Sequence, residues 1–167
     1  DALELVLRLL TDPVLGVLKD IGEIDAVGHR IAHGGERYKQ STVIDDEVIR
    51  YLQSIVPINP LHGPPAIIGM EACRRLMKDT LQVGVFDTSF YAEMEDFRYI
   101  YPLPYELYAE KKIRRYGFHG TSHRYVSAKA AEVLGRDPAG LKIVTCHLGN
   151  GSSITAVEGG KAVDTSM

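Results

Sequence analysis

An α/β fold with a mixed sheet is what this sequence predicts, and three observations carry the prediction. Short apolar runs, Asp25–Ile31 and Leu81–Phe86, alternate with segments of helical period in the first half. Leu141 to Asp164 reads instead as a β-meander with a glycine-rich first turn. Between these lies Arg114–His123, which packs two arginines, two glycines, two histidines and two hydroxyls into ten residues.

Each element has its own reason. Leu3, Val6, Leu7 and Leu10 fall on one face and predict a helix over 1–10. Asp25–Ile31 reads as a short buried strand running into Ala32-His33-Gly34-Gly35, and alternation along it could bury Arg30. A strand ending in His, Arg and a glycine pair is a common place for a site in an α/β protein. Thr42–Ile44 suggests a short strand, and Asp45 a cap for a helix reaching Val56. Pro57–Pro65 is a loop containing His62, and its last prolines open a helix through Met77.

Leu81–Phe86 is the next strand, with Asp87-Thr88-Ser89 at its carboxyl end. A tyrosine-rich connection, 91–104, leads to a short helix over 104–112. The periodic run to Leu134 predicts a helix capped by Thr121 or Ser122, whose amide end favours an anion beside His119. Gly117 and Gly120 suggest backbone that other residues resist. Leu141–Cys146 is a strand, His147–Ser153 a tight loop, 154–157 a strand, Glu158-Gly159-Gly160 a hairpin, and 161–164 the last strand.

Bulk properties narrow the function. At 167 residues and 45% hydrophobic, the chain suffices for one sizeable core or parts of two. A net charge of −3 with interspersed signs resembles no nucleic-acid surface. No apolar run nears the roughly 20 residues of a membrane span, and no secretory leader is visible. Cys73 and Cys146 lack paired spacing and read as reduced thiols of a cytoplasmic protein. The missing initiator Met and the stop straight after a strand suggest a piece of a larger protein.

Four clusters carry candidate chemistry. The loop from His147 to Ser153 is, on pattern, equally a plain type I′ turn or a phosphate cradle of amides and hydroxyls. A lone Arg30 ordinarily means an internal salt bridge, a lone His119 a satisfied core histidine. Asp87 could hold a metal, accept a proton or cap a turn. No Gly-x-Ser-x-Gly elbow supports a serine nucleophile. Together, an arginine, an acid, a histidine and a glycine-rich turn near strand ends suit phosphoryl transfer, which depends on positioning and on donors around the phosphoryl oxygens.

At these residues the sequence resembles the acetate kinase family. Val27–Gly35, Phe86–Phe90, Arg114–His123, Cys146–Ile154 and Val163–Met167 are similar to its signature segments, in its order and with compatible spacing. The resemblance implies part of an actin-like, sugar-kinase-like two-domain ATPase fold, with 1–89 the back part of the first domain and 90–167 the front part of the second. It implies ATP, Mg2+, a cytoplasmic homodimer, and direct phosphorylation of a short-chain carboxylate, acetate and ATP giving acetyl phosphate and ADP. Arg30 would bind the carboxylate and help neutralise the phosphoryl group. Asp87 would be the essential acid near magnesium, and His119 would donate to the phosphoryl oxygens. His147, Leu148, Gly149, Asn150 and Gly151 would touch ATP. Ala32, Leu61, His62 and Phe118 would line the substrate site, and His123 would stand beside them.

Departures from the family matter as well. Its amino-terminal serine-rich phosphate loop, a second catalytic arginine, the adenosine pocket and a glutamate associated with magnesium have no counterpart here, so the main metal ligands are expected elsewhere and this piece alone is expected to be inactive. Asn59-Pro60-Leu61-His62-Gly63-Pro64 and Tyr91 replace usual residues. Ala32 stands where acetate kinases usually carry Val, which points to propionate kinase as the alternative. A non-catalytic nucleotide-binding module of the same superfamily is the other, against which the joint presence of Arg30, Asp87 and His119 argues.

Overall fold

The computed structural model describes residues 2–167, which fall into two compact units. The first comprises residues up to Ile31 and Ser41–Val85; the second comprises Ala32–Gln40 and Phe86–Met167.

The first unit opens with helix α1 (Ala2–Leu10). Strands β1 (Ala26–Ile31) and β2 (Thr42–Val43) follow, then helices α2 (Asp46–Ser54) and α3 (Gly63–Leu76), then β3 (Leu81–Phe86). The sheet order is β1-β3-β2, and β2 pairs antiparallel with β3 through Thr42↔Gly84 and Val43↔Val83. Asp45 caps α2 as its sequence position predicts, its carboxylate accepting from the Val48 amide at 2.8 Å. Leu7, Cys73 and Met77 form a core cluster that also takes in Ile24 and Val27. Val27 packs on that core, and exposure alternates along the strand from it. Val27, His29 and Ile31 are the covered set, while Arg30 belongs to the exposed set with Ala26 and Gly28. The expected burial of Arg30 therefore fails by one residue of alternation, which exchanges the two faces of a strand.

The second unit holds helices α4 (Asp96–Tyr99), α5 (Tyr105–Lys111) and α6 (Gly120–Leu134). Strands β4 (Lys142–Leu148), β5 (Ser152–Glu158) and β6 (Lys161–Thr165) form the antiparallel meander expected at the end of the chain. His147 and Leu148 belong to β4, paired with Ser153 and Ser152, so the first turn is only Gly149–Gly151. The Gly149 amide closes it onto the Gly151 carbonyl at 3.1 Å. Gly159 and Gly160 make the second turn with φ of 59° and 79°, both favourable without a Cβ. Phe90, Tyr91, Met94, Val157 and Ala162 make the hydrophobic core here, and Asp87–Tyr91 is a 3₁₀ turn wholly buried against it.

Among the described residues no helix is long and apolar enough to cross a membrane.

Candidate active site

The second unit places Asp87 at the end of β3 and the start of α6 directly against it. Asp87 is 1% exposed. Its Oδ2 accepts from the His119 amide at 3.1 Å, and its Oδ1 accepts a short bond from the Thr121 hydroxyl. The anion expected at the amide end of α6 is thus the chain's own carboxylate. Neither Thr121 nor Ser122 caps the helix; His119 occupies that position in the left-handed conformation (φ 56°, ψ 22°) without a side-chain cap bond. Thr121 is committed to Asp87, and Ser122 Oγ lies 3.0 Å from His147 Nδ1.

Two glycines permit this approach. A Cβ on Gly120 would stand 1.9 Å from the Asp87 carbonyl oxygen, and one on Gly117 (φ 80°) would enter the Tyr91 ring at 2.2 Å. Tyr91 reaches the same place from below: its hydroxyl donates to the Phe118 carbonyl at 2.8 Å and lies 2.9 Å from Thr155 Oγ1. Burial pushes the Tyr91 phenol up from its ordinary range. The two arginines at the head of the stretch both have protein partners. Arg114 bonds Glu36 at 3.0 Å and stacks over the Tyr99 ring at 3.6 Å, and Arg115 pairs with Asp164.

His119 faces the glycine turn. Its ring stacks on His147 at 4.1 Å and 14°, and a Cβ built on Gly151 would stand 3.0 Å from its Nε2. Its other nitrogen, Nδ1, is 2.8 Å from Ser153 Oγ, which also meets buried His123. Burial, with His119 and His147 nearby, lowers the His123 pKa. Asp87, Phe118, His119, His123, His147, Leu148 and Gly149–Gly151 all lie in this unit, as does half-buried Ala32. Arg30, Leu61 and His62 belong to the first unit, where all three are exposed.

No group of three or more His, Cys, Asp or Glu is placed to hold a metal among the described residues. Asp87 offers a single carboxylate. Magnesium takes one or two carboxylates and keeps waters and phosphate oxygens for its other positions, so one carboxylate is compatible with it, although both Asp87 oxygens here bond the His119 amide and the Thr121 hydroxyl.

A model of the Acetokinase family matches residues 1–167. The chain belongs to the acetokinase family. Among acetokinase relatives, the acetate kinase of Caldanaerobacter subterraneus subsp. tengcongensis is 58% identical over 167 residues, covering 100% of this chain and 42% of its own. Acetate kinase from Porphyromonas gingivalis superposes with a TM-score of 0.93 at 48% identity, over 99% of this chain and 42% of that one. A propionate kinase from Francisella tularensis gives 0.91 at 40% identity, over 100% and 42%. The fold is therefore a mixed α/β piece of the acetate and propionate kinase fold, and the chain spans about 42% of the length of such relatives.

Within this acetokinase segment, Thr121, Ser122, Ser153, Thr145 and Tyr91 support the candidate residues without having been singled out for that from sequence. A signal exists for some of them. Thr145, Ser153, Thr155 and Thr165 put hydroxyls at the buried positions of a meander where apolar residues are the norm.

Proposed function

We propose that the full-length protein carrying this segment transfers a phosphoryl group between ATP and a short-chain carboxylate, converting acetate and ATP to acetyl phosphate and ADP. One observation supports this most: a buried carboxylate, Asp87, clasped by the start of α6 beside an imidazole, His119, that faces a glycine turn. Phosphoryl transfer needs groups held in place around a charged, in-line geometry rather than a protein nucleophile. The 58% identity to an acetate kinase supports the same reading.

In this reading Arg30 binds the carboxylate and offsets phosphoryl charge. His119 serves the phosphoryl oxygens. His147, Leu148, Gly149, Asn150 and Gly151 meet the ATP phosphates, and Ala32, Leu61, His62, Phe118 and His123 line the site. Asp87 contributes one carboxylate to the magnesium site, and bound magnesium would neutralise phosphate charge. The parent's first domain would then include residues 1–89 and its second 90–167. The parent would be a cytoplasmic homodimer, checked by light scattering and fractionation.

The test is acetyl phosphate formation by the full-length protein and its variants. Arg30→Ala and Asp87→Ala should each lower kcat/KM by about 10²–10⁴. Full activity in both variants would defeat the assignment. The 167-residue chain alone should show no turnover above blank.

Ala32 supports a second reading, preference for propionate. Relative to Val it lacks two methyl groups, room for about one more substrate carbon, worth roughly 1 kcal/mol. A propionate kinase is among the similar structures, at 40% identity against 48% for an acetate kinase. Ala32→Val in the full-length protein should lower the propionate-to-acetate ratio of kcat/KM by about fivefold. An unchanged ratio would rule this preference out.

A further inference from the structure

Four hydrogen bonds run in series behind His119. His119 Nδ1 lies 2.8 Å from Ser153 Oγ, and the same hydroxyl lies 2.8 Å from His123 Nε2. Across the His123 ring, Nδ1 is 2.7 Å from Thr145 Oγ1, and that hydroxyl donates to the Thr155 carbonyl at 3.4 Å. The series is enclosed: Ser153 is 2% exposed, His123 1% and Thr145 3%.

Counting protons gives the series a direction. A carbonyl only accepts, a hydroxyl has one proton, and a neutral imidazole has one N–H. With the Thr145 proton directed to the Thr155 carbonyl, Thr145 Oγ1 must accept from His123 Nδ1–H. His123 Nε2 is then a lone pair and takes the Ser153 proton. Ser153 Oγ, having no further proton, accepts from His119 Nδ1–H. This arrangement supplies a donor to all four bonds. Its reverse leaves the Thr155 carbonyl without the Thr145 proton, so the longest bond of the series sets the direction.

We infer that Ser153, His123 and Thr145 are positioning residues that hold His119 as its Nδ1–H tautomer, with Nε2 a lone pair turned toward Gly151. The stacked His147 ring fixes the plane of the same imidazole. The catalytic consequence rests on the phosphoryl-transfer reading; the tautomer does not. In that reading Nδ1 stays engaged with Ser153, so Nε2, beside the Gly151 turn, is the nitrogen left for the phosphoryl oxygens.

The direct test is a long-range ¹H–¹⁵N correlation spectrum of the full-length protein labelled at histidine, with His119 assigned by loss of its signals in His119→Asn. At neutral pH His119 and His123 should both show protonated Nδ1 and lone-pair Nε2. In Ser153→Ala, His119 should move toward the Nε2–H form that a free imidazole prefers, with kcat down about fivefold and KM within about twofold. Ser153→Thr should restore both. An Nε2–H signature for His119 in the wild type overturns the inference, and that spectrum decides even if Ser153→Ala does not fold. The expected tautomer in a protein without phosphoryl transfer would sustain this inference while defeating the functional reading.

Discussion

The amide of His119 and the carboxylate of Asp87 share a hydrogen bond of 3.1 Å across 32 residues of sequence. It joins the first residue after β3 to the residue that starts α6. A displacement of either moves the other, so the acid keeps one spacing from the backbone that carries the imidazole. Holding reactive groups at fixed separation is how positioning lowers a barrier without forming a covalent bond.

Thr121 completes that clasp from the other carboxylate oxygen. Thr121→Val keeps the shape and removes the donor, where a hydrogen bond to a charged group is worth about 1.5–3 kcal/mol. The full-length enzyme should lose about tenfold or more in kcat/KM, while Thr121→Ser stays near wild type. Steady-state kinetics on the pair checks this, and equal rates for Val and Ser would contradict it.

Gly120 has no room for a methyl group, since its Cβ would meet the Asp87 oxygen at 1.9 Å and the Phe90 Cβ at 2.9 Å. Backbone has to yield in Gly120→Ala, and overpacking of this kind costs about 1–3 kcal/mol or more. Urea denaturation should show a lower midpoint. Gly140→Ala is the control, because nothing lies within 4 Å of that Cβ.

Tyr91→Phe removes the hydroxyl that serves the Phe118 carbonyl and Thr155. The ring still fills the core, so the loss is confined to hydrogen bonding: the buried Phe118 carbonyl loses its donor and the Thr155 hydroxyl loses the oxygen it can donate to. A destabilisation of about 1–3 kcal/mol is expected, read from the same urea series.

His33 carries the pH dependence. It is 1% exposed, and burial, then the Arg114 charge, lowers its pKa from 6.5 to about 4. The unfolded chain binds a proton at His33 below pH 6.5 while the folded chain resists until about 4. Stability is therefore full above 6.5 and falls as pH drops through that window, by about 3 kcal/mol in all. His33→Gln, which can still accept from the Gly35 amide that His33 Nδ1 now serves at 2.9 Å, should flatten the slope between pH 6.5 and 4. An unchanged slope would place the dependence elsewhere.

Some elements were legible because their signals are local. Leu81–Phe86 is an apolar run closed by polar residues at both ends, and Asp45 meets an amide three residues on. The hairpin at Gly159-Gly160 needs only its own φ angles. The start of α6 is deceptive because Thr121 and Ser122 look like caps, yet both hydroxyls have partners 34 and 25 residues away. The exposure of Arg30 is not legible because alternation gives two faces but not which one meets the core. The series behind His119 was hidden for the same reason as Thr121: its members come from α6, β4 and β5, and only pairing of those strands brings them together.

Residues 32–40 separate two stretches of the first unit yet pack within the second. Arg114, the partner of Glu36, follows it by 78 residues. During synthesis at about 5–20 residues per second, that partner leaves the ribosome roughly 4–16 s later. Until then Glu36 lacks the guanidinium it pairs with in the folded unit, and His33 lacks the Tyr116 and Phe118 rings that pack on it.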